Sequence, residues 1–175
     1  GSVYRGTFRG HEPHGKGRLE TVDGSVYEGD FVLGKPQGSG RLQSPDGRSY
    51  RGDFHQGHAE GNGELQLSDG RSYVGQFAAK HFHGQGSYYW PDGKVYHGEW
   101  VQDQRCGRGV YTLSDGSRYV GDFEADHPHG LGILYDAKGH IKQAGRWAHN
   151  RLVEPIKLQI EDYPFDFKNE GASAA

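Results

Sequence analysis

Histidine and cysteine are the residue types in this chain that could hold a metal ion. Eleven histidines are present, and two pairs have the spacing His-x-His: His81 with His83, and His127 with His129. Alternate residues of a strand point to the same side, so each pair could offer two ligands to one ion. Cys106 is the single cysteine, and a structural zinc site takes four ligands. A zinc site built on His81, His83 and Cys106 is therefore incomplete unless a second chain adds to it.

The alternative is that these histidines lie in loops beside turns and have no chemical role. His14, His83 and His129 are separated by multiples of 23 residues, which indicates a repeated structural position. The sequence contains no Gly-x-Ser-x-Gly nucleophile motif, no phosphate-binding loop and no carboxylate-rich calcium loop. We therefore predict that the chain is not an enzyme, with no catalytic residue, cofactor or metal.

The 23-residue spacing extends over most of the chain. In the unit that begins at Tyr27, a glycine follows at Gly29, an aromatic residue at Phe31, a Gly-x-Gly triplet at 38–40 and Asp-Gly at 46–47. A fixed period of this length is typical of a repeat architecture. Six units begin at tyrosines spaced by 23 residues, namely Tyr4, Tyr27, Tyr50, Tyr73, Tyr96 and Tyr119.

This pattern resembles the MORN (membrane occupation and recognition nexus) repeat, whose unit reads roughly Tyr-Glu-Gly-Glu-Trp, a polar loop, Gly-x-Gly and Asp-Gly. The resemblance covers six units and a degenerate seventh that begins at Gln143, where glutamine replaces tyrosine. We predict a repeat array over residues 1–153 and a C-terminal tail over residues 154–175. The resemblance implies non-enzymatic scaffolds and tethers, cytoskeletal association and dimers. It also implies contact with membranes, and repeat regions that precede catalytic domains in larger enzymes.

The predicted fold is all-β: an elongated, twisted, single-layer antiparallel sheet of consecutive 23-residue β-hairpins. In the second unit, residues 27–31 alternate large and small side chains with a period of two, which favours a strand. A second strand is predicted at about residues 40–44. The polar residues 33–37 are predicted to form the loop between these two strands.

The turn between units is predicted to contain three residues, Pro45, Asp46 and Gly47. A two-residue Asp-Gly loop would place Leu42 on the face opposite to Tyr50, whereas a three-residue loop makes them partners. Such a loop is a type I turn with its last residue in the left-handed region, which favours proline first and glycine third.

One face of this sheet should carry the tyrosines, the strand glycines and the second aromatic residue of each unit. Glycines leave room for rings to lie across the sheet. This Gly-floored aromatic trough is the predicted partner-binding site, formed by Tyr50, Phe54, Tyr73, Phe77, Tyr88, Tyr96, Trp100, Tyr111, Tyr119 and Phe123. The other face is expected to be solvated, with polar residues such as Glu28, Asp30, Arg51, Asp53, His97 and Glu99.

The chain after the array alternates apolar and polar residues at 152–160, which predicts an edge strand. A helix over residues 157–162 is the alternative. The tail is predicted to pack as far as Phe167, on the trough or on the last unit, with residues 168–175 disordered. A tail held by a few contacts is the competing interpretation.

Composition limits the function classes. Hydrophobic residues make up 33% of the chain, too few for a thick two-layer core. The net charge of −3 lies in the tail, so the array is neutral and offers no basic face for nucleic acid. The same balance weakens the case for membrane lipid. A single cysteine favours a reducing compartment, hence a cytoplasmic protein. The resemblance implies association with the cytoskeleton or a membrane.

These features favour a protein-binding scaffold or tether that holds a partner peptide or helix in the trough. Two alternatives stay open: a membrane- or phosphoinositide-associated module, and the regulatory or targeting repeat region of a larger enzyme. Exposed edge strands leave a homodimer open as well.

Overall fold

The computed structural model describes residues 1–158, which form one sheet of fourteen antiparallel strands. The order of the strands in the sheet is their order along the chain, so each strand pairs only with its sequence neighbours. This is the predicted sheet of consecutive hairpins. Strands β1 to β14 are Val3–Arg9, Glu12–Glu20, Val26–Val32, Lys35–Gln43, Ser49–His55, His58–Gln66, Ser72–Ala78, His81–Tyr89, Val95–Val101, Gln104–Thr112, Arg118–Glu124, His127–Tyr135, Ile141–Ala148 and Arg151–Pro155.

The turn inside each unit is shorter than the sequence predicted. In the second unit only Leu33 and Gly34 separate β3 from β4. Their φ angles of 48° and 78° are those of a type I′ hairpin turn. The prediction of a loop reaching Gln37 was wrong because Pro36 already pairs with Phe31. A register shift in this hairpin then restores the pairing of the glycines further on.

Left-handed turn residues other than glycine are held by the preceding unit. Ala79 and Lys80 form one such turn, with φ of 47° and 77°. The backbone N–H of Lys80 donates to the carbonyl of Ala59, one unit earlier, at 3.0 Å. In the turn of Gln56 and Gly57, where Gln56 has a φ of 48°, the N–H of Gly57 donates to the carbonyl of Pro36 at 2.8 Å. The unusual backbone geometry thus supplies a hydrogen bond between units, which offsets its conformational cost.

The turn between units is the predicted three-residue turn. Gly47 has a φ of 88°, the left-handed value that its position requires. The carboxylate of Asp46 accepts a hydrogen bond from the backbone N–H of Arg48 at 3.1 Å, which closes the turn. Leu42 is the partner of Tyr50 in the resulting register, which confirms the prediction.

On the face that carries the tyrosines, here called the tyrosine face, each ring lies over a pair of glycines. Gly75 and Gly86 are partners on β7 and β8, and the Tyr73 ring covers them. The Tyr73 hydroxyl donates to the carbonyl of Gln76 at 2.8 Å. The same bond, from tyrosine to the carbonyl three residues later, recurs in the first six units.

The aromatic rings connect the units into one continuous row. Tyr50 contacts Phe54 of its own unit and Phe77 of the next edge-to-face, with ring centroids 5.1 and 5.0 Å apart. Tyr73 repeats the pattern with Phe77 and with Trp100, at 5.1 and 5.5 Å. Such pairs add about 0.5–1.5 kcal/mol each beyond their buried area. A single-layer sheet thereby obtains its core on one face.

The opposite face is polar in the first units, but the prediction that all of it is solvated was wrong. Near the C-terminal end, Val110, Val120, Ile133 and Tyr135 form a second buried cluster on this face. Leu158 packs against them. The chain arrives there from the edge strand β14, which confirms the predicted strand as far as Pro155. The predictions for the tail beyond residue 158 lie outside the described residues.

Candidate partner-binding face

All ten residues of the predicted trough lie on the tyrosine face, and those that are buried form its floor. Nine of them are buried, and Tyr111 is partly exposed. The largest fully buried side chains include Tyr73 and Tyr96. The rings are therefore packed against one another and against glycines. A partner laid on this face would meet the layer of side chains above them first.

That outer layer consists of half-buried apolar side chains that pack against the rings. The strand partners of the tyrosines supply most of it, because they share the tyrosine face. Its members in the middle and at the end of the array are Leu42, Leu65, Phe82, Trp90, Tyr111 and Leu134. Apart from Tyr111, sequence reasoning did not assign these residues to the site. The pairing of Leu42 with Tyr50 was a usable signal for the leucines.

The fourth and fifth units carry an aromatic cluster of their own. Phe82 stacks on Tyr73 with ring centroids 3.8 Å apart and planes 10° from parallel. Trp90 contacts Tyr88 at 4.5 Å and Tyr111 of the next unit at 5.7 Å. Phe82 occupies the repeat position of Pro36 and Ala59 in earlier units, so no general repeat pattern predicts a ring there.

Arg105 adds a cation to this cluster. It occupies the repeat position of Phe82 one unit later, and its guanidinium carbon lies 5.1 Å from the Tyr111 ring centre and 5.6 Å from that of Tyr96. Its Nη2 donates to the carbonyl of Asp126 at 2.7 Å. The side chain is held from both sides, because its Nε also forms an ion pair with the Asp126 carboxylate at 3.3 Å. The guanidinium is thereby fixed beside the Tyr111 ring.

A cleft of about 480 Å³ opens on the same face over the second to fourth units. Tyr50 and Phe54 form part of its floor, and Leu42 and Leu65 line it. Its lining includes cationic side chains, such as Lys80, and no carboxylate. The size and lining suit an apolar peptide segment that carries negative charge.

The histidines predicted as alternative metal ligands include His81, which contacts a carboxylate of the next unit. Nδ1 of His81 lies 2.6 Å from the Asp103 carboxylate, which links neighbouring units. Among residues 1–158, no three His, Cys, Asp or Glu side chains are grouped so that they could hold a metal ion. Within one chain, His81, His83 and Cys106 are not grouped into such a site over residues 1–158. His127 has an interunit contact of the same kind, with the Asn150 amide at 3.0 Å.

Burial disfavours the ionised form of two tyrosines and of the cysteine on this sheet. It raises the pKa of Tyr27 to about 12, with a smaller contribution from the charge of Asp30. Burial also raises the pKa of Tyr50 to about 12. Burial, helped by Glu99, also raises the pKa of the Cys106 thiol. These groups stay neutral near pH 7, which suits packing rather than nucleophilic chemistry.

The sheet and its repeated aromatic row define an all-β repeat protein in which each unit contacts its neighbours. The family model of the MORN repeat matches six consecutive stretches, and the chain belongs to this family. The matched residues are 4–26, 27–47, 50–70, 73–95, 96–118 and 119–141. The resemblance stated from the sequence is thereby confirmed. Among curated proteins, no sequence matches the chain. Within the described range, no helix is long and apolar enough to cross a membrane.

Two solved structures illustrate how the fold compares with others. The TCP domain of Drosophila melanogaster SAS-4 (dCPAP), in complex with a proline-rich motif of Ana2 (dSTIL), is 10% identical with a TM-score of 0.47. The match covers 73% of this chain and 70% of that one. The TCP10 domain of Danio rerio CPAP, in complex with a STIL peptide, is 14% identical with a TM-score of 0.20, over 76% of this chain and 84% of that one. Similarity at this level carries no conclusion about function.

Proposed function

We propose that this chain is a protein-binding scaffold or tether that holds a peptide or helix of a partner protein on its tyrosine face. The row of half-buried apolar side chains above the buried rings is the observation that carries the proposal. A row of this kind offers apolar contact area that the sheet itself does not use. Surfaces of this character mark interaction sites.

The spacing of the units favours a partner that crosses the strands. Neighbouring strands are about 4.8 Å apart, so equivalent residues of successive units recur about every 10 Å. In an extended peptide with the polyproline II conformation, every third side chain lies on the same side and recurs at nearly this distance, since each residue rises about 3.1 Å. In a helix the matching spacing is seven residues, at about 1.5 Å per residue. Both kinds of segment can place one apolar side chain in each unit.

The charges beside the apolar row favour a partner that is partly acidic. Lys80 lines the cleft, which has no carboxylate among its lining residues. Arg105 lies next to Tyr111 as well, where it is also paired with the Asp126 carboxylate. We therefore expect the partner segment to combine apolar anchors with aspartate or glutamate. Complementary charge mainly supports specificity and the rate of association.

The buried rings are poor targets for testing this proposal. Tyr73 and Trp100 are core residues, and their removal would cost about 3–5 kcal/mol of stability. Trp90 and Leu65 are half-buried, and alanine at these positions removes outer-layer contacts while the rings remain. Tyr89 and Val74 lie on the opposite face and are exposed, so they serve as matched controls.

The experiment selects ligands from a random 12-residue peptide library on the immobilised full chain. The affinity of a selected peptide is then measured by fluorescence polarisation. We expect the Leu65→Ala, Trp90→Ala variant to lose at least tenfold in affinity, and the Val74→Ala, Tyr89→Ala variant to bind as the unsubstituted chain does. Circular dichroism confirms that both variants are folded. Equal losses in both, or selection of no peptide, would refute the proposal. Competition by phosphoinositide vesicles would instead favour the membrane alternative.

A further inference from the structure

Two valines at the same repeat position differ sharply in exposure. Val74 and Val120 each follow the first tyrosine of their unit directly, and both lie on the face opposite to the tyrosines. Val74 is 46% exposed, whereas Val120 is 2% exposed. The residue type and the repeat position are identical, so the difference arises from what lies over the sheet. The opposite face is open at the fourth unit and covered at the sixth.

The covered region is a straight apolar row across neighbouring strands. Val110 pairs with Val120, Val120 with Ile133, and Ile133 with Ala144. Ile133 is fully buried. Towards Val74 the strand partners are polar, because Val110 pairs with His97 and Val74 pairs with Ser87. The apolar row therefore stops at Val110. The row spans three strand spacings, roughly 15 Å.

The C-terminal end of the described chain leads onto this row. After β14 the N–H of Ile156 donates to the carbonyl of Ala144 at 3.0 Å, which places the chain beside the end of the row. Leu158 then packs against the cluster. One leucine is too small to cover apolar side chains on three strands, because neighbouring strands are about 4.8 Å apart.

The sequence that follows Leu158 has the composition to complete this cover. Residues 159–167 read Gln-Ile-Glu-Asp-Tyr-Pro-Phe-Asp-Phe, with Ile160 and three aromatic residues. Nine residues in an extended conformation reach roughly 30 Å, about twice the length of the row. The proline is compatible with an extended segment that does not join the sheet ladder.

Charge complementarity supports the same assignment. Arg108 and Arg118 lie two residues from Val110 and Val120 along their strands, and so on the same face. Arg118 also lies over the Tyr135 ring, with its guanidinium carbon 5.0 Å from the ring centre. The segment 159–167 brings three carboxylates and no cation. An acidic, aromatic segment therefore fits an apolar row with arginines on one side.

We propose that residues 159–167 bind intramolecularly across the opposite face of the fifth to seventh units, as an acidic aromatic strap over Val110, Val120 and Ile133. The strap covers the second cluster and leaves the tyrosine face open. This assignment does not depend on the proposed function, because it concerns the other side of the sheet. It also gives the C-terminal end of the array a cap, which repeat proteins need at their termini.

The strap is tested by methyl NMR on the full chain with labelled valine, leucine, isoleucine, tyrosine and phenylalanine. We expect nuclear Overhauser contacts from the rings of Tyr163, Phe165 or Phe167 to the methyl groups of Val120 or Ile133. No contacts are expected to Val74. A sample mixed from two differently labelled chains should show no intermolecular contact of this kind.

Methyl accessibility provides the second measurement, through relaxation by a soluble paramagnetic agent. In the unsubstituted chain, Val120 should be protected at least fivefold relative to Val74. Serine at Tyr163, Phe165 and Phe167 should remove most of that protection, whereas the control Ser173→Ala should not.

Three results would overturn the proposal. The first is ring contacts to leucine methyl groups of the tyrosine face. The second is contacts that appear only in the mixed sample, which would assign the strap to a second copy. The third is protection of Val120 that survives loss of all three rings.

Discussion

Replacement of Gly86 by alanine tests the central packing arrangement of this sheet, a tyrosine ring lying on a glycine pair. A Cβ atom at Gly86 would lie 2.5 Å from Cε2 of Tyr73 and closer still to Cζ and the hydroxyl oxygen. Carbon atoms in contact are about 3.5–4.0 Å apart, so one side must move by about 1 Å. The ring cannot move freely, because it is fully buried and stacked on Phe82 with centroids 3.8 Å apart.

The magnitude follows from three contributions. Overpacking of a tight core costs about 1–3 kcal/mol. Displacement of the Tyr73 hydroxyl from the Gln76 carbonyl adds about 1 kcal/mol. Alanine restricts the unfolded chain and thereby recovers about 0.4–1 kcal/mol. We expect Gly86→Ala to lower the free energy of unfolding by about 2–3 kcal/mol, since the steric contribution is the largest.

Urea denaturation followed by tryptophan fluorescence measures this change, with Gly93→Ala as the matched control. Gly93 has no atom within 4 Å of an added Cβ but has a φ of 87°, so alanine there tests backbone geometry alone and should cost about 1 kcal/mol. A second test adds Gly86→Ala to a Tyr73→Val background, where the steric cost should largely vanish. The reasoning is refuted if Gly86→Ala is neutral, or if its cost is unchanged without the ring.

Three further predictions concern other parts of the sheet. Val120→Ala should lower the free energy of unfolding by about 2–3 kcal/mol and Val74→Ala by less than about 1 kcal/mol, and equal urea midpoints would contradict this. Because burial raises the pKa of Tyr27 to about 12, its contribution to stability is complete below about pH 10, where unfolded tyrosine starts to ionise. That contribution is lost as the pH rises from about 10 towards 12. Tyr27→Phe should therefore reduce the fall of the urea midpoint over this range. Burial and Glu99 raise the pKa of the Cys106 thiol, so iodoacetamide should alkylate it more slowly at pH 8 than a free thiol. Glu99→Gln should accelerate the reaction, and an unchanged rate would contradict the electrostatic contribution.

The sequence predicted the sheet and the turn between units, because both depend on local chemistry. Pro45 and Gly47 fit only a few turn types, and the alternation of side chains then fixes Leu42 opposite Tyr50. The turn inside the unit was mispredicted because its left-handed residues include Leu33 and Lys80, which carry no turn signal. These turns are held by the N–H groups of Gly34 and Lys80, which donate to carbonyls of the preceding unit. Such a contact cannot be seen in the sequence of a single unit.

The packing of the candidate site was predicted less completely than the fold. The ten trough residues share the face to which the sequence assigned them, but their burial depends on ring packing between units. Phe82 and Trp90 escaped notice because each occupies a position where the other units carry a different residue type. The second buried cluster, on the opposite face, was not predicted for a related reason. Val110 and Ile133 occupy a repeat position that holds arginine or glutamate in the first three units. Deviations from the repeat, rather than the repeat itself, carried this information.

The hydrogen bond from each inner turn to the unit before it has a consequence for how the chain is made. The N–H of Lys80 donates to the carbonyl of Ala59, and the Tyr50 ring packs against Phe77 of the next unit. Every unit is therefore completed by contacts from the unit that follows. Contacts within the array thus join residues that leave the ribosome close together in time. Each newly emerged stretch of about 23 residues can dock onto the folded edge before the rest of the chain is translated. The sheet is suited to growth in one direction, from its N-terminal end, during synthesis.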